Sequence, residues 1–354
     1  MASSKIPTGR GTVDNRAGRF ARRLSEDQDD GWWQEQAPAS AATEVRSELS
    51  RSIITRNRSP DIGFDQSINP YRGCEHGCIY CYARPSHAYW DMSPGLDFET
   101  RLIARENSAT LLGAELSRPG YQCKPINLGA NTDPYQPIER KYLLTRQCLE
   151  VLLRFRHPVT VVTKSALVLR DLDLLTDLAR QNLVRVMVSL TTLDDDLKRR
   201  LEPRTASGTA RLRVVRQLSE CGIPVGVLLA PMIPAINDSE LESLVEAAAA
   251  AGAHSAHYIL LRLPWEVAPL FEGWLREHYP LRAEHVLSLI RQCRGGELND
   301  PGFGSRFRGQ GPFADLLEQR FRAALRRAGL TSRGGLEPLD CSAFSPPGQQ
   351  LGLF

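Results

Sequence analysis

The sequence predicts an α/β fold in which about six βα units surround a parallel sheet, and two observations carry that prediction. From Ile68 onward, short β-branched apolar runs alternate with amphipathic stretches at helical spacing, the pattern of repeated strand–helix crossovers. The chain has 354 residues and is 42% hydrophobic, enough for one large core or two ordinary ones. Six such units fit an incomplete (β/α)6 barrel, and alternation alone equally allows a doubly wound sheet.

Residues 1–60 are rich in Ser, Arg, Asp and Gln, with a basic run (Arg16, Arg19, Arg22, Arg23) ahead of an acidic one (Glu26, Asp27, Asp29, Asp30). They are expected to form an extended, partly disordered arm. Trp32 and Trp33 stand out in it, either docking the arm on the domain or anchoring a partner. The barrel is expected over 61–265. Its first strand leads into a cysteine-rich loop, and the second, 125–129, is followed by a helix near 139–155. The third strand, 159–164, precedes a helix with Leu172, Leu175, Leu178 and Ala179 at helical spacing. The fourth covers 184–190, with a helix near 207–221. The fifth covers 224–229, and its helix opens on an apparent capping signal at Asp238, Ser239 and Glu240. A sixth strand near 255–263 stops at Pro264. Two helical stretches over 266–294, a glycine-rich loop and a helix near 313–328 form a C-terminal helical extension, 266–354.

Lys and Arg number 44 against 41 Asp and Glu, a net charge of +3 that is too balanced to identify an acidic partner. No apolar run reaches the roughly 18 residues needed to cross a bilayer, and the first residues lack a signal-peptide core. A cytoplasmic protein without a membrane partner is expected. Cys123, Cys148, Cys221, Cys293 and Cys341 are scattered without pairing rhythm, as reduced thiols would be.

The remaining three cysteines, Cys74, Cys78 and Cys81, fall within eight residues in a CxxxCxxC spacing. Soft thiolates in so short a loop select zinc, copper(I) or an iron–sulfur cluster, and Gly73 and Gly77 let the backbone turn between them. A structural zinc site takes four ligands, and an ordinary [4Fe–4S] electron carrier takes four cysteines. With three, one iron of a [4Fe–4S] cluster keeps a position open for a substrate or cofactor. Zinc held by these cysteines with His76 or His87 is the alternative from the same residues. The motif, with Tyr80 just before the third cysteine, closely resembles the signature of the radical S-adenosylmethionine (SAM) enzymes. That resemblance implies the partial barrel, SAM chelated at the open iron, and an external one-electron reductant. It also implies reductive cleavage of SAM to a 5′-deoxyadenosyl radical that abstracts hydrogen from a substrate, with Tyr80 near the adenine.

In parallel barrels the functional groups gather at the C-terminal strand ends. After strand two lies the polar segment 129–139 with Thr132 and Asp133, strand three ends in Lys164, strand four in Ser189, Thr191 and Thr192, and strand five in Pro231 and Met232. Lys164 is a candidate for the SAM carboxylate, and Ser189, Thr132 and Asp133 for its methionine or ribose part. Arg204 is a second carboxylate candidate suited to bidentate contact. The segments 69–74, 78–82 and 132–137 further resemble the group related to spore photoproduct lyase, over about residues 65–265. Where that group's hydrogen-returning cysteine belongs, this chain has Ala130 and Asn131, and Cys123 lies before the strand. The resemblance therefore implies the same radical initiation with a different, unknown substrate. Phe303, Arg306, Phe307, Arg308 and Phe313 interleave aromatic and basic groups, with Arg320, Arg322, Arg326 and Arg327 following. They read either as a nucleic-acid contact or as a solvated basic helix whose Phe313 and Phe321 face the barrel. A nucleic-acid-binding protein with a structural or redox-sensing iron–sulfur cluster is the corresponding alternative function.

Overall fold

The protein, a computed structural model, is described over residues 9–12, 14–20, 42–332 and 337–347. Trp32, Trp33 and the acidic run of the N-terminal segment lie outside the described residues.

The strands are β1 (Glu44–Glu48), β2 (Thr55–Arg56), β3 (Gln66–Ile68), β4 (Tyr71–Arg72), β5 (Arg101–Arg105), β6 (Ile126–Leu128), β7 (Val159–Thr163), β8 (Val184–Ser189), β9 (Val225–Met232) and β10 (Ser255–Leu260). The α-helices are α1 (Asp97–Thr100), α2 (Ser108–Leu116), α3 (Glu139–Tyr142), α4 (Leu144–Arg154), α5 (Leu172–Ala179), α6 (Asp195–Leu201), α7 (Gly208–Glu220), α8 (Leu241–Ala250), α9 (Val267–His278), α10 (Ala283–Gln292) and α11 (Gly311–Ala328). The main sheet has the order β10-β9-β8-β7-β6-β3-β2. Six of its strands, β3 and β6 to β10, run parallel, and β2 pairs antiparallel with β3 at one edge. Sequential order among the parallel strands and an unclosed sheet make this a partial barrel rather than a doubly wound sheet, whose order would reverse at a switch point.

Local chemistry accounts for the parallel strands. β7 reads Val-Thr-Val-Val-Thr, β-branched throughout, with Val159, Val161 and Thr163 buried and the intervening residues only partly so. β8 repeats that pattern. The helices between strands cover the sheet with Leu149, Leu152, Leu175, Leu178, Val214, Leu218, Leu244 and Ala248, all in the same core. Leu317, Phe321, Ala324 and Leu325 of α11 join that core, and α11 is fastened to α8 by Arg320, whose Nη2 lies 2.7 Å from Glu242 Oε2.

Three local readings of the sequence need correction. The helix expected over 139–155 is broken at Leu143, which takes a left-handed conformation (φ 55°) and separates α3 from α4. The capping signal at 238–240 instead forms a short 3-10 turn, and α8 starts at Leu241 with no side-chain cap. The Glu240 carboxylate is drawn away to accept from Thr192 Oγ1 (2.5 Å) and Leu193 N (2.8 Å), bracing the end of β8. A second sheet, β1-β5-β4, has no counterpart in the expected elements: β1 pairs parallel with β5 over Glu44–Glu48, and β4 pairs antiparallel with it. β1 is mostly polar, β4 has two residues, and β5 buries Leu102, Ile103 and Ala104 in a row, so none of them shows the alternation that marks a half-buried strand.

Candidate active site

The cysteine loop leaves β3 through Asn69, Pro70 and β4 and reaches the C-terminal side of the main sheet. Gly73 and Gly77 bracket Cys74 with φ of +73° and +66°, conformations that disfavour any other residue. A Cβ on Gly73 would lie 2.6 Å from Leu102 Cδ2 and 2.9 Å from the Phe98 carbonyl oxygen, and one on Gly77 would lie 2.6 Å from Glu99 Oε2. Gly73→Ala is therefore expected to cost about 2 kcal/mol from backbone strain alone. A denaturation midpoint unchanged from the parent would contradict the tight packing around Gly73.

A buried ion pair holds the loop from below. Arg84 and Glu99 are both fully buried and paired. Arg84 Nε donates to the Cys78 carbonyl (2.9 Å), Nη1 to those of Pro94 and Gly95, and Nη2 to that of Gly77 (3.3 Å). Glu99 accepts from Gly11 N (2.9 Å) and Thr12 N (3.1 Å), so part of the N-terminal segment is sewn beneath the cysteines. Gln136 clamps the other side, accepting from Glu75 N at 2.9 Å and donating to the Gly73 carbonyl at 3.1 Å.

Cys74 and Cys78 are buried, Cys81 is half-buried, and all three are free thiols. Burial pushes Cys74 well up, with Asp133 and Cys78 adding to it. Burial also dominates at Cys78, followed by Glu202, while Lys164 opposes it and Cys81 adds to it. Cys81 is raised by burial against Arg84 and Lys164. Cys74 feels Cys78 and Cys78 feels Cys81, and three soft donors on one loop are the chemistry for a group that accepts them as thiolates and neutralises their charge, although among the described residues no three donors are gathered as a metal site. The two histidines of the motif region are only partly engaged, and Nδ1 of each lacks a hydrogen-bond partner. His76 Nδ1 lies 3.3 Å from Asp133 Oδ2, and His87 Nε2 lies 2.9 Å from the Arg101 carbonyl with its ring edge-on to Phe98.

Beside the cysteines, a polar network centres on Glu202, which is fully buried. Its carboxylate accepts from Tyr80 OH, from Thr191 Oγ1 at 2.8 Å and from Arg211 Nη2, and lies 3.3 Å from Lys164 Nζ. Arg211, itself buried, donates also to the Ser189 carbonyl (2.9 Å) and to Thr205 Oγ1 (2.6 Å). Lys164 Nζ further donates to the Ala230 carbonyl (3.4 Å) and lies 5.7 Å from the Tyr80 ring centroid. Burial lowers Lys164 to about 8, Arg211 lowers it too, and Cys78, Asp133 and Cys81 oppose them.

The structure thus brings Tyr80, Lys164 and the end of β8 at Ser189 together next to Cys78. The other three candidates are committed to protein partners. Thr132 Oγ1 donates to the Tyr71 carbonyl (2.9 Å). Asp133 accepts from Thr163 Oγ1 (2.8 Å) and Lys164 N (2.7 Å), and those bonds with His76 outweigh burial and hold its carboxyl below the usual range. Arg204 Nη2 donates to Glu75 Oε1 at 3.1 Å. Sequence reasoning passed over Arg84, Glu99, Gln136, Glu202 and Arg211. Glu202 stands two residues from Arg204 and could have been reached from it, whereas nothing local marks Glu99.

The basic residues after 300 are largely neutralised. Arg306 Nε lies 2.8 Å from Asp61 Oδ2, Arg320 pairs with Glu242, Arg308 and Arg322 flank Glu318, Phe321 is buried and Phe313 packs on the core. Among the described residues, no helix is long and apolar enough to cross a membrane.

An incomplete parallel barrel with three thiols and a half-buried lysine at its strand ends is the architecture of a cofactor-dependent α/β enzyme. The Radical SAM superfamily model matches residues 68–248, and the chain belongs to that superfamily. It is 37% identical over 231 residues to an uncharacterized protein of Mycobacterium bovis, covering 65% of this chain and 68% of that one. It is 30% identical over 173 residues to an uncharacterized protein of Methanocaldococcus jannaschii, covering 49% of this chain and 62% of that one. Among solved structures, spore photoproduct lyase complexed with dinucleoside spore photoproduct shares the fold with a TM-score of 0.60 at 17% identity, over 85% of each chain. A mutant of that lyase with bound AdoMet and the same dinucleoside gives 0.58 over 85% of each chain.

Proposed function

We propose that the chain is a radical SAM enzyme whose Cys74, Cys78 and Cys81 hold a [4Fe–4S] cluster with one iron left for SAM. When bound and reduced by an external one-electron donor, that pair supplies a 5′-deoxyadenosyl radical for hydrogen abstraction from the substrate. The observation that carries this reading is the placement of Cys78, one of three free thiols in a single loop, against the Lys164–Glu202–Arg211 network at the strand ends.

The chain's own residues then divide the work. Gly73, Gly77, Arg84 and Gln136 shape the loop, and the low-dielectric surroundings of the cysteines keep water from the reactive centre. Lys164 offers its ammonium to the SAM carboxylate, and Glu202 with Arg211 fixes where that ammonium stands. Tyr80 is held by its hydroxyl on Glu202, which leaves its ring face and backbone to the adenine side. Thr132 and Asp133 act through others: Asp133 orients the Lys164 backbone and His76, and Thr132 ties the loop after β6 to β4. Arg204 keeps Glu75 and the outer turn of the loop in place rather than meeting the carboxylate.

The test is anaerobic: protein reconstituted with iron and sulfide, given SAM and dithionite, with 5′-deoxyadenosine quantified. Absence of that product from a cluster-loaded sample would remove the reading. A second expectation concerns pH. Lys164 carries its charge below about 8 and loses it above. Its protonated fraction falls about tenfold between pH 7 and pH 9, and SAM affinity of the reconstituted enzyme should fall with it. Lys164→Gln should bind SAM weakly and without that pH dependence, and a parent profile flat across this range would exclude Lys164 as the carboxylate partner.

One observation favours a nucleic-acid substrate as the second reading. Next to Cys81, the guanidinium of Arg262 lies 5.1 Å from the Tyr82 ring and 5.2 Å from that of Phe307, while Arg306, already paired with Asp61, lies between Phe307 and the exposed Phe303. Alternating π faces and guanidinium groups suit stacked bases and phosphates. Binding of a single-stranded oligonucleotide that weakens steeply with salt would support it.

A further inference from the structure

The underside of the barrel carries a thiol pair that the cofactor site does not use. Cys123 lies just before β6, at the opposite end of the sheet from the cysteine loop. The C-terminal segment 337–347 runs across this face and is held at several points. Asn182 Nδ2 donates to the Pro338 carbonyl (2.8 Å), Asp340 N to the Asn182 carbonyl (3.0 Å), and Ser345 N to the Phe155 carbonyl (3.0 Å). Phe344 packs against Tyr121 and His157, with ring centroids 5.4 Å apart in each case. Tyr121 is itself fixed, donating to Gln66 Oε1 at 2.7 Å and meeting His157 Nε2 at 2.9 Å. Cys341 sits between these anchors and Cys123 is two residues from Tyr121, so both backbones are held where the side chains meet. The two thiols are near enough to act on one another electrostatically, and both are free.

We propose that Cys123 and Cys341 form a thiol–disulfide exchange site that takes a low-molecular-weight disulfide of the glutathione class and closes into a bridge fastening the C-terminal segment to the barrel underside. The Cys341 thiolate attacks one sulfur of the small disulfide, forming a mixed disulfide and expelling one thiolate. The Cys123 thiolate then attacks the Cys341 sulfur, forming the protein bridge and expelling the second. Two electrons pass to the small disulfide, and the two protein protons end on the released thiols. The order follows from environment: burial, with Cys341 adding to it, holds the Cys123 thiol above its ordinary range and makes it the slower first nucleophile. A bridge between residues so distant in sequence removes much unfolded-chain freedom. The site stands apart from the three cluster cysteines and needs no iron.

The experiment is peptide mapping of the iron-free full-length protein after treatment with glutathione disulfide and alkylation. The expected product is one cross-linked species joining the Cys123 and Cys341 peptides, lighter than the two thiol peptides by two hydrogen atoms and lost on reduction. In Cys123→Ser, Cys341 should retain a glutathione adduct, and in Cys341→Ser, Cys123 should be recovered mainly alkylated. Recovery of both cysteines alkylated in the parent, or as two separate glutathione adducts, would overturn the proposal. An equal cross-link yield from protein treated in denaturant would do so as well, since the bridge would then owe nothing to the fold.

Discussion

Cys78→Ala, purified and reconstituted beside the parent, is expected to form 5′-deoxyadenosine only at the level of a sample lacking SAM and to hold far less iron and sulfide. Two thiols cannot replace three around a [4Fe–4S] cluster, and Cys78 is the one facing both Glu202 and Lys164. The substitution removes a small buried side chain that accepts no hydrogen bond the loop depends on, since Arg84 holds the Cys78 backbone carbonyl. The fold should therefore survive, and circular dichroism with a thermal scan separates loss of the cluster from loss of structure. Parent-like product from Cys78→Ala would show that the thiol is dispensable and that the cofactor is held elsewhere.

Glu202→Ala should be the most destabilising single change at the site. It leaves the buried Arg211 guanidinium and the Lys164 ammonium without their shared carboxylate, and strips acceptors from Tyr80 and Thr191. Breaking a buried pair by removing one partner typically costs about 3–5 kcal/mol, because the remaining charge stays desolvated. Glu202→Gln keeps an acceptor oxygen and should lose less. The midpoint of chemical denaturation reads both, and a Glu202→Ala protein within about 1 kcal/mol of the parent would mean that water already screens the network. SAM affinity should fall along with stability, since Lys164 would lose the group that sets its position.

Much of the fold was legible in the chain because its signals are local. Val159 to Thr163 and Val184 to Ser189 declare strands by β-branching, and Leu172, Leu175 and Leu178 declare a helix by spacing. Even so, Leu143 carries no glycine or proline to announce the break between α3 and α4, and the second sheet is invisible because β1 and β5 pair across more than fifty residues. At the candidate site, Lys164 and Ser189 stand at strand ends, and folding brings the Lys164 ammonium to Glu202 and the Ser189 carbonyl to Arg211. Thr132 and Asp133 follow β6 and Arg204 follows α6, and their side chains go to Tyr71, Thr163 and Glu75. A polar residue at a strand end looks alike in sequence whether it faces a ligand or braces a loop.

The sequence by itself determined the number and type of the candidate ligands and the positions of the parallel strands along the chain. Cys74, Cys78 and Cys81 lie within one loop, and each strand run carries its own propensity, so neither depends on distant partners. Tertiary structure alone decided which charges work at the site. Glu202, Arg211, Arg84 and Glu99 are residue types found mostly on surfaces, and only folding buries them and brings Glu99 to Arg84 or Glu202 to Lys164. Their roles follow from the loss of water around each pair, which no stretch of sequence records.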